Sequence, residues 1–233
     1  MKRFFGRKEG DKIVIENNEF HHLKNVLRLG ENDKVIASIN DEYDYYCTIE
    51  KINKKDCILQ IDNKELCPAN PKNNIVLFQM MPKKDYFDNI IPKAIELGVR
   101  EIYFFTSSFT MLKTFKRERV DTQVMTACKQ CERSKLVEVH DMISFKDMLE
   151  KIKNFDVVLF ANEHEQEVKF DIDWIKNSKN IAVIIGNEAG FSEEEASSII
   201  KNNGKSFTLG NRILRCDTAV TAVLSVVNIF SNN

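Results

Sequence analysis

"NIAVIIGNEAGFSEEE", residues 180–195, is the stretch from which the fold of this chain is read. Its first six residues are almost wholly apolar, with no polar–apolar alternation. A half-exposed strand alternates; an unbroken apolar run belongs to a strand covered on both faces, as in a parallel sheet. Gly186 and Gly190 then free the backbone for tight turns or close approach to a ligand. Ser192 and Glu195 stand at the spacing of a capping box, so the next helix is predicted to start there.

The same strand, loop and helix recur on either side. The runs "NIVLFQM" (74–80), "REIYFF" (100–105), "FDVVLFA" (155–161) and "KSFTLG" (205–210) are strand-like. Helical patterns alternate with them at about 85–97, 117–132, 144–153, 192–203 and 218–230. This alternation predicts an α/β architecture with a parallel sheet covered on both faces. In such sheets ligands bind beyond the carboxyl ends of the strands. That directs attention to the loop 186–190 and to "LGNRILRCDTA", residues 209–219.

Residues 1–67 read differently. "DKIVIE", "DKVIASI", "YYCTIEKI" and "CILQID" are short β-branched or aromatic runs separated by Asn, Asp, Gly and Lys. Between the first two, "NEFHHLKNVLRLGEND" repeats apolar residues at helical spacing and reaches Gly30, a suitable helix stop. A small β-barrel with one short helix fits this pattern. "CPANPKNN" (67–74) makes the best linker, so the expected division is a barrel over 1–70 and an α/β domain over 71–233.

With 43% hydrophobic and 30% charged residues the composition is that of an ordinary soluble protein. No apolar run reaches membrane-spanning length, so no membrane role is expected. The start, "MKRFFGRKEG", has basic residues with no apolar segment after them, and a cytoplasmic location is expected. Of six cysteines only Cys128 and Cys131 form a C-x-x-C, with no second pair or spaced histidines. No metal and no structural disulfide is therefore expected. The net charge of −1 excludes a generally basic nucleic-acid binder and leaves only local patches. Two candidates are residues 1–30, with seven Lys/Arg against four Asp/Glu, and 113–135, with seven against three. Solvated faces explain either patch equally well.

The loops carry the chemistry. Glu188 reads either as a carboxylate accepting backbone N–H bonds or as a contact to a bound group. Neither G-x-G-x-x-G nor G-x-x-x-x-G-K-[ST] is present, which disfavours a dinucleotide enzyme and a nucleotide-phosphate loop. Asp217 is a candidate N-cap for a helix starting near Thr218. Arg212 and Arg215 add positive charge where a helix N-terminus already favours anions. Two cations there make sense if one pairs with an acid and the other meets a phosphate or a polarised carbonyl. An Arg–Asp structural pair plus one surface arginine is the other reading.

"HHLKNVLRL", "KAIELGV", "QCERS" and, above all, "IIGNEAGFSEEE" followed by "LGNRILRCDTA" carry a likeness over almost the whole chain. In them the chain resembles the ribosomal RNA small subunit methyltransferase E family of the SPOUT (trefoil-knot) methyltransferases. The resemblance implies a PUA-like β-barrel followed by a SPOUT-type parallel sheet with a C-terminal trefoil knot. It implies a homodimer that uses S-adenosylmethionine to methylate N3 of one uridine in 16S ribosomal RNA, free or within the small ribosomal subunit. By position, Ile185, Gly186, Glu188, Gly190, Leu209, Gly210, Ile213 and Leu214 would hold the cofactor. Arg133, Arg215 and Asp217 would be catalytic, and Arg3, His21, His22, Arg28 and Arg212 would contact RNA. Asn187, Ala189, Asn211, Cys216 and Asp217 depart from the family's usual residues in the two loops, as do Pro92, Phe109, Thr126 and Lys129 elsewhere. A ribose 2′-O-methyltransferase of the same superfamily and a non-catalytic RNA-binding assembly factor are the alternatives.

Overall fold

A computed structural model describes residues 1–112 and 114–231. The chain forms two compact units, one of Met1–Asn70 with Cys128–Leu136 and one of Pro71–Ala127 with Val137–Asn233. Lys113, part of the second basic patch, lies outside the described residues.

The first unit contains β1 (Arg3–Phe5), β2 (Arg7–Glu9), β3 (Lys12–Glu16), α1 (Asn17–His21), β4 (Lys34–Ser38), β5 (Tyr43–Ile52) and β6 (Asp56–Leu66). Its strand order is β1-β4-β5-β6-β3-β2. Only Gly6 separates β1 from β2, yet they occupy the two ends of that order. The sheet therefore curls until its edges meet, which is the expected barrel. Phe4, Ile13, Ile15, Leu23, Ile49 and Leu59 are wholly buried inside it. The two short strands β1 and β2 were not legible in the charged opening sequence.

The predicted short helix exists but changes its winding. After α1 the chain continues as a π-helical turn, His22–Val26, in which Leu27 N donates to His22 O at 3.0 Å. Arg28 then takes a left-handed conformation (φ 55°), so the helical winding stops before Gly30.

The second unit is built on one parallel sheet. Its elements are β7 (Asn74–Met80), α2 (Lys84–Glu96), β8 (Glu101–Thr106), α3 (Arg117–Gln130), β9 (Glu138–Val139), β10 (Ile143–Ser144), α4 (Phe145–Ile152), β11 (Val157–Ala161), β12 (Asn180–Ile185), α5 (Glu193–Lys201), β13 (Gly204–Phe207) and α6 (Cys216–Ser231). The last three residues of α3 belong to the first unit. The strand order is β10-β8-β7-β12-β11-β13, with β9 paired to β8. Every pair in this sheet is parallel.

One face carries Val76, Phe78, Val158, Phe160, Ala182 and Ile184 against Met148 and Ile152 of α4 and Ala196 and Ile199 of α5. On the other side α6 packs against both α2 and β12. Because side chains alternate along a strand, Ile75, Leu77 and Gln79 of β7 face this second layer. The apolar runs are unbroken because both faces of the sheet are covered.

The last connection positions the site. The chain leaves the edge strand β13, turns back past the carboxyl end of β11, and enters α6. This crossing is where the trefoil knot of the expected fold class lies. Parallel neighbours put the carboxyl ends of β7, β11, β12 and β13 at the same edge, so their loops are gathered there.

Candidate active site

The loop 186–192 is held from two sides. Gln79 at the end of β7 donates through Nε2 to Gly186 O at 3.0 Å. Asn187 Nδ2 donates to Met81 O at 3.3 Å, and Glu188 Oε1 accepts from Lys83 N at 3.0 Å. On the other side Phe191 N donates to Glu163 Oε1 at 2.6 Å, and His164 Nε2 lies 3.1 Å from Phe191 O. Gly190 is left-handed (φ 70°), and a Cβ there would stand 1.9 Å from Glu163 Oε1. Glycine is therefore required at 190 both by conformation and by space. The expected capping box forms: Ser192 Oγ accepts from Glu195 N at 3.2 Å, and Glu195 Oε2 accepts from Ser192 N at 3.1 Å. Buried Glu195 also accepts from Ser108 N at 3.0 Å, tying the loop after β8 to α5.

A third loop, 162–168, braces this arrangement. Asn162 Nδ2 donates to Ser206 Oγ at 3.1 Å, and Asn162 N donates to Phe207 O at 3.1 Å. Glu165 Oε1 accepts from the backbone N–H of Gln166, Glu167 and Val168 at 3.1–3.2 Å. Those bonds, chiefly the one from Val168, hold the Glu165 carboxyl below the usual glutamate range. The sequence reading missed Glu163, His164 and Glu165. Their signal was "NEHEQE" directly after the apolar run 157–161, at a strand's carboxyl end.

The loop 208–215 is built otherwise. Gly210 has φ 99° with nothing within 4 Å of where a Cβ would stand. Its N–H donates to Thr208 Oγ1 at 3.1 Å. Among the described residues none hydrogen-bonds to Asn211, Arg212, Ile213 or Leu214. Arg212 and Arg215 are exposed, Leu209 and Leu214 are half-buried, and the Ile213 side chain is 99% exposed.

α6 begins at Cys216, with Ala219 N donating to Arg215 O at 2.9 Å. Asp217 is therefore inside the first turn instead of at the N-cap position. It is 9% exposed, and its Oδ2 pairs with Lys93 Nζ of α2 at 2.8 Å. Its Oδ1 is buried and accepts no hydrogen bond from the described residues. The acid near the two arginines thus pairs with a lysine that the sequence did not indicate. Burial, reinforced by the Glu188 and Asp217 carboxylates, pushes the Cys216 thiol up to about 12. At the start of α6 Cys216 and Asp217 are buried, while Glu188 and the two arginines are exposed.

The remaining candidates sit in the first unit. Arg133, in the segment after α3, is buried, and its N–H donates to Cys128 O at 2.9 Å. His21 and Arg28 are exposed, and His22 is half-buried with its ring 6.0 Å from that of Phe4. Arg3 differs from the expectation of an RNA contact. Its side chain is 8% exposed, and both terminal nitrogens are engaged by Asp44, at 2.6 and 3.0 Å, with Ser38 Oγ at 2.8 Å from Nη1. Breaking a buried pair leaves an uncompensated charge, so this guanidinium is committed to the barrel interior.

Comparison with known proteins follows the same division. The RNA methyltransferase domain family matches residues 68–228, and the RNA methyltransferase PUA domain family matches residues 15–62. The chain is 32% identical over 231 residues to the ribosomal RNA small subunit methyltransferase E of Mesomycoplasma hyopneumoniae, covering 97% of this chain and 98% of that one. It is 26% identical over 237 residues to the Bacillus subtilis protein of the same name, covering 94% and 91%. The solved structure of a ribosomal RNA small subunit methyltransferase E from Neisseria gonorrhoeae, bound to S-adenosyl methionine, superposes with a TM-score of 0.87. It is 25% identical, over 98% of this chain and 97% of that one.

Proposed function

The chain belongs to the ribosomal RNA small subunit methyltransferase E family, and we propose that it methylates N3 of one uridine in 16S ribosomal RNA from S-adenosylmethionine. The observation that carries this reading is the set of loops gathered at the carboxyl ends of β7, β11, β12 and β13, with buried acceptors on their inner side. S-adenosylmethionine bears a sulfonium and an ammonium, and it suits a site where Glu188 and Asp217 supply negative charge and Asp217 Oδ1 lacks a donor. Ile185, Gly186, Glu188 and Gly190 on one loop and Leu209, Gly210, Ile213 and Leu214 on the other would hold it. When bound, it supplies an electrophilic methyl group.

The chain's own task is to make the uracil reactive. N3 carries a proton and is a poor nucleophile until that proton leaves, and charge then develops on O2 and O4. Arg215 or Arg133 would stabilise that charge. Asp217 would orient an arginine or take the proton, using the oxygen that Lys93 does not occupy. Holding the base and the methyl donor in line supplies most of the rate, which suits loops braced by their backbone.

His21, His22 and Arg28 of the barrel and Arg212 of the loop would contact RNA, with Arg3 acting by holding β1 to Ser38 of β4 and Asp44 of β5. Homodimer formation is part of this reading, since Ile229 is 60% and Phe230 40% exposed at the end of α6. An apolar face at a helix end suits a second copy of the chain. Among the described residues no helix is long and apolar enough to cross a membrane; action in the cytoplasm on naked rRNA or on the assembling subunit completes the proposal.

The test is incubation of purified protein with labelled S-adenosylmethionine and either 16S rRNA or small subunits lacking the modification. Label in 3-methyluridine supports the reading. Label on a ribose 2′-oxygen moves it to the other class of methyltransferase, and absence of label on both substrates, with RNA still bound, favours the assembly factor.

A further inference from the structure

Gln79 is the one polar side chain in the run Ile75–Met81 and is 0% exposed, between Phe78 and Met80 on a strand buried on both faces. A buried polar residue in such a strand requires an explanation that an exposed one does not. Half of that explanation is visible. Nε2 donates to Met80 O at 2.8 Å and to Gly186 O at 3.0 Å, so the amide orientation is fixed by two carbonyl acceptors. Oε1 is then buried with no donor among the described residues. An unmet buried acceptor carries its full desolvation penalty, which an apolar side chain at this position would not incur.

Its surroundings narrow the reason. Gly186 opens the loop 186–190, and the next bonds along that loop are Asn187 to Met81 and Lys83 to Glu188. Asp217, another residue with a buried oxygen that has no donor among the described residues, follows Cys216, whose Sγ is 3.9 Å from Glu188 Oε1. Two unmet acceptors thus flank one loop. A molecule rich in N–H donors would satisfy them.

Resting on the S-adenosylmethionine reading above, we propose that Gln79 positions this loop through the Gly186 carbonyl and offers Oε1 to an N–H of the bound cofactor. Gln79 lies beneath the loop instead of on it, which is why motif spacing does not reveal it. A neutral carboxylic acid keeps the acceptor and one of the two donated bonds, enough to hold the Gly186 carbonyl, whereas a carboxylate lacks any donor and methionine lacks both donor and acceptor. Burial raises the pKa of a carboxyl introduced here, so it changes state in an accessible range.

The experiment is calorimetric titration with S-adenosylhomocysteine of the full chain, Gln79→Met and Gln79→Glu at pH 8 and pH 5.5, with near-UV circular dichroism and Tm on each. The expected result is binding by the unaltered chain and at least about 10-fold weaker binding by Gln79→Met at both pH values with a native spectrum. Gln79→Glu should be as weak at pH 8 and recover at least several-fold at pH 5.5. A residue that only fills the core would not produce that recovery. Affinity in Gln79→Met within about twofold of the unaltered chain overturns the proposal, as does a Gln79→Glu affinity that does not rise on acidification. If Gln79→Met does not fold, the Gln79→Glu pH response decides. Failure of the unaltered chain itself to bind removes the cofactor reading and this inference with it; normal binding by every variant removes this inference alone.

Discussion

The two loops that define the candidate site sit at neighbouring strand ends and are built on opposite principles. Loop 186–192 is bonded to the residues after β7, to the loop after β11 and to the first turn of α5. Loop 208–215 is bonded at its start, through Thr208 N to Val168 O and between Thr208 and Gly210, and then has four consecutive residues to which nothing described hydrogen-bonds. One is organised before any ligand arrives; the other leaves Asn211–Leu214 without described hydrogen bonds and the Ile213 side chain exposed. Preorganisation lowers the ordering cost of binding, while a free loop can close over what has bound. The braced loop would set where the methyl donor lies, and the free one would report that it has arrived.

The largest effect that would break this comparison is a substitution at the two left-handed glycines. Gly190→Ala introduces strain at φ 70° and displaces Glu163 from Phe191 N, at a cost of about 2–4 kcal/mol in denaturant unfolding. Gly210→Ala introduces strain alone, about 1–2 kcal/mol, because no atom stands near its Cβ. Equal costs would mean that the two loops are not differently held.

Next is Asp217→Asn, which removes the charge facing Lys93 and any capacity to take a proton. A fall of about 100-fold in methyl-transfer rate is expected if the carboxylate accepts the uridine proton. A full rate across the pH range would leave Asp217 as a structural partner of Lys93 and α6.

Hydrogen exchange sharpens the contrast without mutation. Amides of Ala189, Gly190 and Phe191 should exchange more slowly than those of Asn211 to Leu214, and S-adenosylhomocysteine should slow the second group more than the first. Similar protection of both groups before ligand is added would contradict a free loop.

A smaller effect is expected on acidification. The Glu165 carboxyl has its folded-state pKa lowered, so its contribution is present above the ordinary glutamate range and is lost as pH falls through the lowered value. Below about pH 4 the loop 162–168 should loosen before the barrel does, read as earlier exchange at Gln166, Glu167 and Val168. Glu165→Gln should abolish the pH dependence of that loosening.

The smallest expected effect is a lack of reaction. With its thiol pushed up to about 12, Cys216 should resist iodoacetamide at pH 8 in the folded chain while half-buried Cys131 reacts first. Rapid labelling of Cys216 would show that the start of α6 opens readily, and that mobility extends from the free loop into the helix.

What the sequence carried well were the elements with strong local pattern. The run 74–80 is β7 to the residue, and the helix expected at 85–97 is Lys84–Glu96. The S-x-x-E spacing gave the start of α5, because a capping box is closed by residues three apart. β1 and β2 escaped because they are three residues each, and β2 is wholly exposed and charged. Nothing local marks them; their pairing with β4 and β3 makes them strands.

The same division holds for the site. Residue types and glycine spacing by themselves pointed to the loops after β12 and β13 as the candidates, since strand ends, turns and caps are short-range features. Tertiary structure alone decided which groups serve those loops. Gln79 lies 107 residues from Gly186, Lys93 lies 124 from Asp217, and Glu163 reaches Phe191 across a strand crossing. It also committed Arg3 to Asp44, 41 residues away, where the sequence offers only a basic residue near the start of the chain. Partners this far apart are brought together by parallel register and by the return of the chain into α6. Those pairings depend on the whole sheet, and no short window of sequence contains them.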